Sequence, residues 1–165
     1  MATTAENRAE MTLPSDTQLL IRREFDAPRH LVYRAWTTPE LIKRWWGGQR
    51  GEVVSAEVDL RVGGSWRYVM VANGGFEVAF HGEYREIVPE ERVVCTEVYE
   101  QPGVPEPEQP VVCTYTFTAQ GERTCLRVLV DHPDQALRDQ ILASGMELGM
   151  QESLAALESV AQSLA

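Results

Sequence analysis

Residues 132–165, HPDQALRDQILASGMELGMQESLAALESVAQSLA, decide the fold. Asp134 follows Pro133 and is placed to accept from the free N–H groups of a first helical turn, and no later proline interrupts the run. Leu142, Met146, Met150, Leu154, Leu157, Val160 and Leu164 recur at steps of three and four, the apolar stripe of a helix. The pattern predicts one helix to about Ser163, near 30 residues and roughly 45 Å long, enough to cross a whole sheet. Gly145, Gly149, Ser153 and Ala156 form a second stripe beside the first. Each glycine inside a helix costs about 1 kcal/mol relative to alanine. Two of them imply either close approach of the sheet or space left for a ligand.

Upstream, the period shifts to two. Val54, Ala56, Val58 and Leu60 alternate with Ser55, Glu57 and Asp59, as in a half-buried strand. Trp66, Tyr68 and Met70 alternate after the Gly63-Gly64 turn, and Asn73-Gly74-Gly75 suits a tight hairpin. Strands follow over 76–88, 92–100, 111–118 and 124–130; Val93, Cys95, Glu97 and Tyr99 share one face of the second of these. The proline-rich stretch 101–110 reads as an exposed loop. Short links make sequence neighbours neighbours in an antiparallel meander. A first strand, 17–25, precedes two short helices: one carries Leu31, Val32, Ala35 and Trp36. The other starts at Thr38-Pro39, with Thr38 as its cap, carries Leu41, Ile42, Trp45 and Trp46, and ends at Gly47-Gly48. The fold class is therefore α+β: a curved antiparallel sheet, two short helices after the first strand and a long C-terminal helix across the sheet. Residues 1–17 are polar and read as a disordered leader, and 18–165 as a single domain.

The 165 residues carry 15 basic and 25 acidic side chains, a net charge of −10. That balance argues against nucleic acid and against an anionic membrane surface. No apolar run approaches the roughly 18 residues of a membrane span, so no membrane partner and a cytoplasmic setting are expected. Cys95, Cys113 and Cys125 form no CxxC pair and read as buried reduced thiols, with no metal and no cofactor implied. Lys43, the only lysine, sits beside Arg44 on a helix surface.

The strands bring Trp66, Tyr68, Phe76, Phe80, Tyr84, Tyr99, Tyr115 and Phe117 to the sheet. Buried Tyr and Trp need partners for their polar atoms. Such a surface facing a helix with glycines and with adaptable Met146 and Met150 suits an apolar pocket with a few polar anchors. An empty apolar cavity of roughly 300 Å³ would cost on the order of 7 kcal/mol, comparable with the net stability of a domain.

REFDAPRHLVYRAWTTPELIKRWWGG (23–48) resembles the opening of the bacterial homologues of the activator of heat-shock-protein-90 ATPase, within the START-like (SRPBCC) superfamily. VDLRVGGSWRYVM (58–70), HGEYREIVPEERVV (81–94) and GMELGMQESLAALE (145–158) are similar to later blocks of that family, in order, so the resemblance spans 18–163. It implies the helix-grip fold, in which the sheet wraps the long helix around a hydrophobic cavity. It points to Trp66, Tyr68, Phe80, Tyr84, Tyr115, Met146 and Met150 as ligand-binding residues, and a small hydrophobic or aromatic molecule, or a lipid, as the ligand. Many relatives carry an aromatic residue, often tryptophan, at the position of Met150. The family shares no catalytic residue set.

Two alternatives accompany this reading. GxSxG, HExxH, phosphate-loop and dinucleotide-binding motifs are absent. His30 reads as solvated and His132 as a loop residue before the long helix. His81 and Glu83, two apart on one strand, share a face and with Tyr99 or Tyr115 would form an acid/base cluster; some START-like proteins are cyclases or dehydratases acting on polyketides. A protein-interaction domain, including a chaperone-regulating one, would instead expose an apolar patch around Trp45 and Trp46.

Overall fold

Alternation of apolar and polar residues produces the strands, and the register of their pairing sets which side chains share a face. A computed structural model describes residues 8–100 and 103–165. The elements are β1 (Glu10–Thr12), β2 (Gln18–Phe25), α1 (Arg29–Thr37), α2 (Pro39–Trp45), β3 (Gly51–Val58), β4 (Ser65–Ala72), β5 (Glu77–Val88), β6 (Arg92–Glu100), β7 (Val111–Gln120), β8 (Arg123–Asp131), α3 (Gln135–Ala143) and α4 (Met146–Ser163). The strands form one eight-stranded antiparallel sheet in the order β1-β2-β8-β7-β6-β5-β4-β3. From β3 to β8 sequence neighbours pair, as short links require. β2 instead crosses to β8, and α1 and α2 occupy the connection from β2 to β3 on the inner side of the sheet.

The expected leader is partly strand: Glu10, Met11 and Thr12 pair with Arg22, Ile21 and Leu20. Three alternating residues are too few to stand out by periodicity, so only the pairing reveals them. The remainder of that expectation, residues 1–7, lies outside the described residues, as do 101 and 102 of the proline-rich loop.

The inner face and the helices share one core. Phe25, Val32, Ile42, Phe117, Leu126 and Leu157 are fully buried there. The last helix is not continuous. α3 ends at Ala143 and α4 starts at Met146, with Gly145 between them at φ +83°. That left-handed conformation is one that glycine adopts without steric cost, and it breaks the helical ladder. Periodicity ran through the break because Leu142 and Met146 keep the four-residue step. Asp134 caps α3 as expected, accepting from Leu137 N at 2.8 Å. Thr38 occupies the N-cap of α2 but its side chain makes no capping hydrogen bond; Pro39 is the surviving start signal.

Candidate functional site

The site is the inner face of β4–β7 beneath the helices. Strand pairing assembles it: Tyr68 stands opposite Phe80, Phe80 opposite Tyr99, Tyr84 opposite Cys95, Cys95 opposite Cys113, and Val93 opposite Tyr115. Glu97, two residues from Cys95 along β6, falls on the same face. Trp66 is 5% exposed, and its Nε1 donates to the Thr96 carbonyl at 3.1 Å. Gly82 makes this possible, since a Cβ there would run into the Thr96 carbonyl and the Trp66 indole nitrogen. The seven predicted residues thus fall in two groups. Trp66, Tyr68 and Tyr84 are buried in the core, while Phe80, Tyr115, Met146 and Met150 pack against it and keep accessible surface. Phe76 and Tyr99 are 62% and 48% exposed and belong to the surface.

Helix ends complete the site in a way periodicity did not show. Trp46, at the end of α2, meets the rings of Tyr68 at 5.4 Å and Phe80 at 5.5 Å. Trp36, near the end of α1, meets Tyr115 at 4.7 Å and Trp45 at 4.9 Å. Trp45 itself is 5% exposed and donates to the Ala35 carbonyl at 2.9 Å. The exposed patch at Trp45 and Trp46 that a protein-interaction domain would show is not formed: Trp45 is in the core and the Trp46 ring lies on the sheet.

Neither glycine of the stripe is packed on the sheet. A Cβ on Gly48 would meet Glu152 Cβ at 2.7 Å, and one on Gly149 would meet Arg50 Nε at 3.0 Å. The loop after α2, not the sheet, approaches α4 there. Gly145 serves the break, with nothing within 4 Å of an added Cβ.

Burial governs the ionisable groups of the inner face. It pushes the Tyr84 hydroxyl and the Cys95 thiol upward, the latter to about 12, and raises Tyr68, Cys113 and Tyr115 as well. The thiols are therefore neutral and free. Burial alone raises the Glu97 carboxyl to about 7. Sequence reading placed Glu97 on a face with Val93, Cys95 and Tyr99 but did not single it out; the signal available was a lone carboxyl among apolar residues of one strand face.

His81 lies on the opposite face. Its Nδ1 pairs with Glu100 at 2.7 Å, its Nε2 with Glu106, and Arg67 holds Glu100 through two bonds of 2.9 Å. These donors lower the Glu100 carboxyl to about 2. Glu83 beside it is exposed. Tyr115 lies across the sheet from His81, whereas Tyr99 lines a depression with it, and His81 is paired with Glu100 and Glu106 rather than with Glu83. An open depression of about 300 Å³ lies there, lined by His81, Tyr99, Val104 and Glu106, and a second lies at Arg29, Arg92 and Phe117. Neither is lined by Tyr84, Tyr115, Met146 or Met150. Among the described residues no cluster of three His, Cys, Asp or Glu side chains could hold a metal ion, and no helix is long and apolar enough to cross a membrane.

A family model described as Activator of Hsp90 ATPase homolog 1-like protein matches residues 26–162. A crystal structure of a protein from Rhodobacter sphaeroides is similar, with 24% identity, a TM-score of 0.85, and coverage of 95% of this chain and 99% of that one. A protein from Mycobacterium smegmatis has 19% identity and a TM-score of 0.82 over 94% of this chain and 98% of its own. The solution structure of an AHSA1-like protein from Aeromonas hydrophila has 18% identity and a TM-score of 0.65 over 88% and 93% of the two chains. No curated protein matches. These structures establish the fold that the strand pattern and the resemblance predicted.

Proposed function

We propose a function from one premise: the chain belongs to the Activator of Hsp90 ATPase homolog 1-like family. It binds a small apolar or aromatic molecule between the inner face of the sheet and the α3–α4 layer. Trp66, Tyr68 and Tyr84 form the floor, and Phe80, Tyr115, Met146 and Met150 touch the ligand.

A contrast along α4 carries this reading. Leu154, Leu157, Val160 and Ala161 are at most 4% exposed, whereas Met146 and Met150, on the same stripe, keep accessible surface. Phe80, Glu97 and Tyr115 on the inner face keep it too. One end of the helix is sealed by core packing, while the methionines at the other end pack against the core with surface left open. Apolar walls with a few polar groups are the usual makeup of a small-molecule site.

The test uses N-phenyl-1-naphthylamine, an uncharged apolar fluorophore, titrated into the protein while tryptophan emission is followed. Trp36 and Trp46 report on the site through their contacts with Tyr115, Tyr68 and Phe80. Saturable quenching at one equivalent is expected. Its absence would mean a filled core and would move a protein-partner role, chaperone regulation included, to first place. Neither that role nor a cyclase or lyase activity gains an observation from the positions of Trp45, Trp46 and His81.

A further inference from the structure

We propose that the molecule bound in this space carries a protonated amine, held by the Glu97 carboxylate among aromatic rings; this rests on the binding reading above. The geometry is that of a lone acid inside an apolar layer. Glu97 shares the inner face with Tyr68 of β4, Tyr84 of β5 and Tyr115 of β7. Among the described residues its carboxyl makes no hydrogen bond or ion pair, and desolvation is the sole cause of its shift. The titratable groups that feel its charge, Tyr68, Cys95, Cys113 and Tyr115, are themselves kept neutral by burial.

No cation serves it from the helices. His30 and Arg34 of α1, and Lys43 and Arg44 of α2, are exposed, and Arg29 of α1 lies at the depression beside Arg92 and Phe117. Arg138 of α3 is committed to Asp139 and to the Ser15 carbonyl. Arg50 lies over Gly149 and donates to the Gly145 carbonyl. What α1 and α2 do bring to the face is the rings of Trp36 and Trp46.

Glu97 keeps part of its surface accessible, so a ligand can reach it, and an ammonium there would offset the carboxylate's partial loss of water through a charge-assisted hydrogen bond. Aromatic faces attract the same cation. A ligand carboxylate would find a like charge and no counterion, so fatty acids and other anions are disfavoured. The net charge of −10 favours arrival of cations over anions.

Three probes of one shape decide the matter: 2-naphthylmethylamine, 2-methylnaphthalene and 2-naphthoate, titrated at pH 8 into the full chain and its Glu97→Gln variant. The wild type is expected to bind the amine about ten- to a hundredfold tighter than the hydrocarbon, and the naphthoate weakest. Glu97→Gln should bind amine and hydrocarbon alike. In the wild type the amine's advantage should shrink as pH falls through about 7, where the carboxyl takes up its proton; this measurement stands even if the variant does not fold. Equal affinities, or a preference that survives the substitution, overturn the amine assignment and leave the binding reading standing. No binding of any probe to the wild type overturns both.

Discussion

A carboxyl raised to about 7 by burial holds its proton more tightly in the folded chain than in the unfolded one, and Glu97 is in that position. Its folded value lies above the ordinary 4.5, so its penalty is absent below 4.5, grows as pH rises to 7 and is constant above. The full penalty is on the order of 3 kcal/mol. Glu97→Gln removes it, so urea midpoints should show the variant more stable by about 2–3 kcal/mol at pH 8 and equal to wild type at pH 4. A variant less stable at pH 8 would place a hidden partner on Glu97. Glu100 works with the opposite sign, because Arg67 and His81 hold its folded value down at about 2. Its stabilisation is lost only as pH falls below 4.5, so the two acids act in separate windows. Alternation alone put each acid on its face. It does not say which face is inner, and that depends on where the helices land.

Helix endings separate what was legible from what was not. Asp134 and Gly47-Gly48 act through local backbone geometry, which their side chains announce, and both do as expected. Gly145 acts through geometry as well, but an unbroken apolar period conceals it. Its φ of +83° makes Gly145→Ala strained, and a loss of about 1 kcal/mol in thermal unfolding is expected. Gly149 differs, having helical backbone and only the Arg50 side chain 3.0 Å from an added Cβ. Arg50 is exposed and free to shift by a few tenths of an ångström. Gly149→Ala should therefore stabilise by about 0.5–1 kcal/mol through helix propensity; destabilisation would mean that Arg50 is fixed by its bond to the Gly145 carbonyl. The tie between α4 and the sheet was not legible at all, since its partners are 135 residues apart. Arg23, 2% exposed on β2, reaches Glu158 at 3.5 Å, and Glu158 also accepts from Asp26 N at 2.8 Å. Glu158→Ala strands the arginine charge in the core, with an expected loss of about 3–5 kcal/mol in denaturant unfolding.

At the scale of the molecule, the sheet order and the long-helix stripe follow from periodicity and short links, whereas the depth of the space between them does not. It depends on tryptophans at helix ends, whose reach is set by where each helix stops. Trp36 covers Tyr115 and Trp46 covers Tyr68 and Phe80, leaving Glu97 on the strand between them. Met150 packs against the core from α4 with part of its surface open. A larger side chain there has room to enter without the usual cost of overpacking, about 1–3 kcal/mol in a filled core. Met150→Trp should consequently melt within a few degrees of wild type while losing probe binding. In the wild type, a probe at a hundred times its dissociation constant adds about 2.7 kcal/mol, a rise of about 5–10 °C for a domain of this size. The variant should show no such rise. If Met150→Trp unfolds readily, the layer is already full; if it folds and still binds, the ligand sits elsewhere on the inner face.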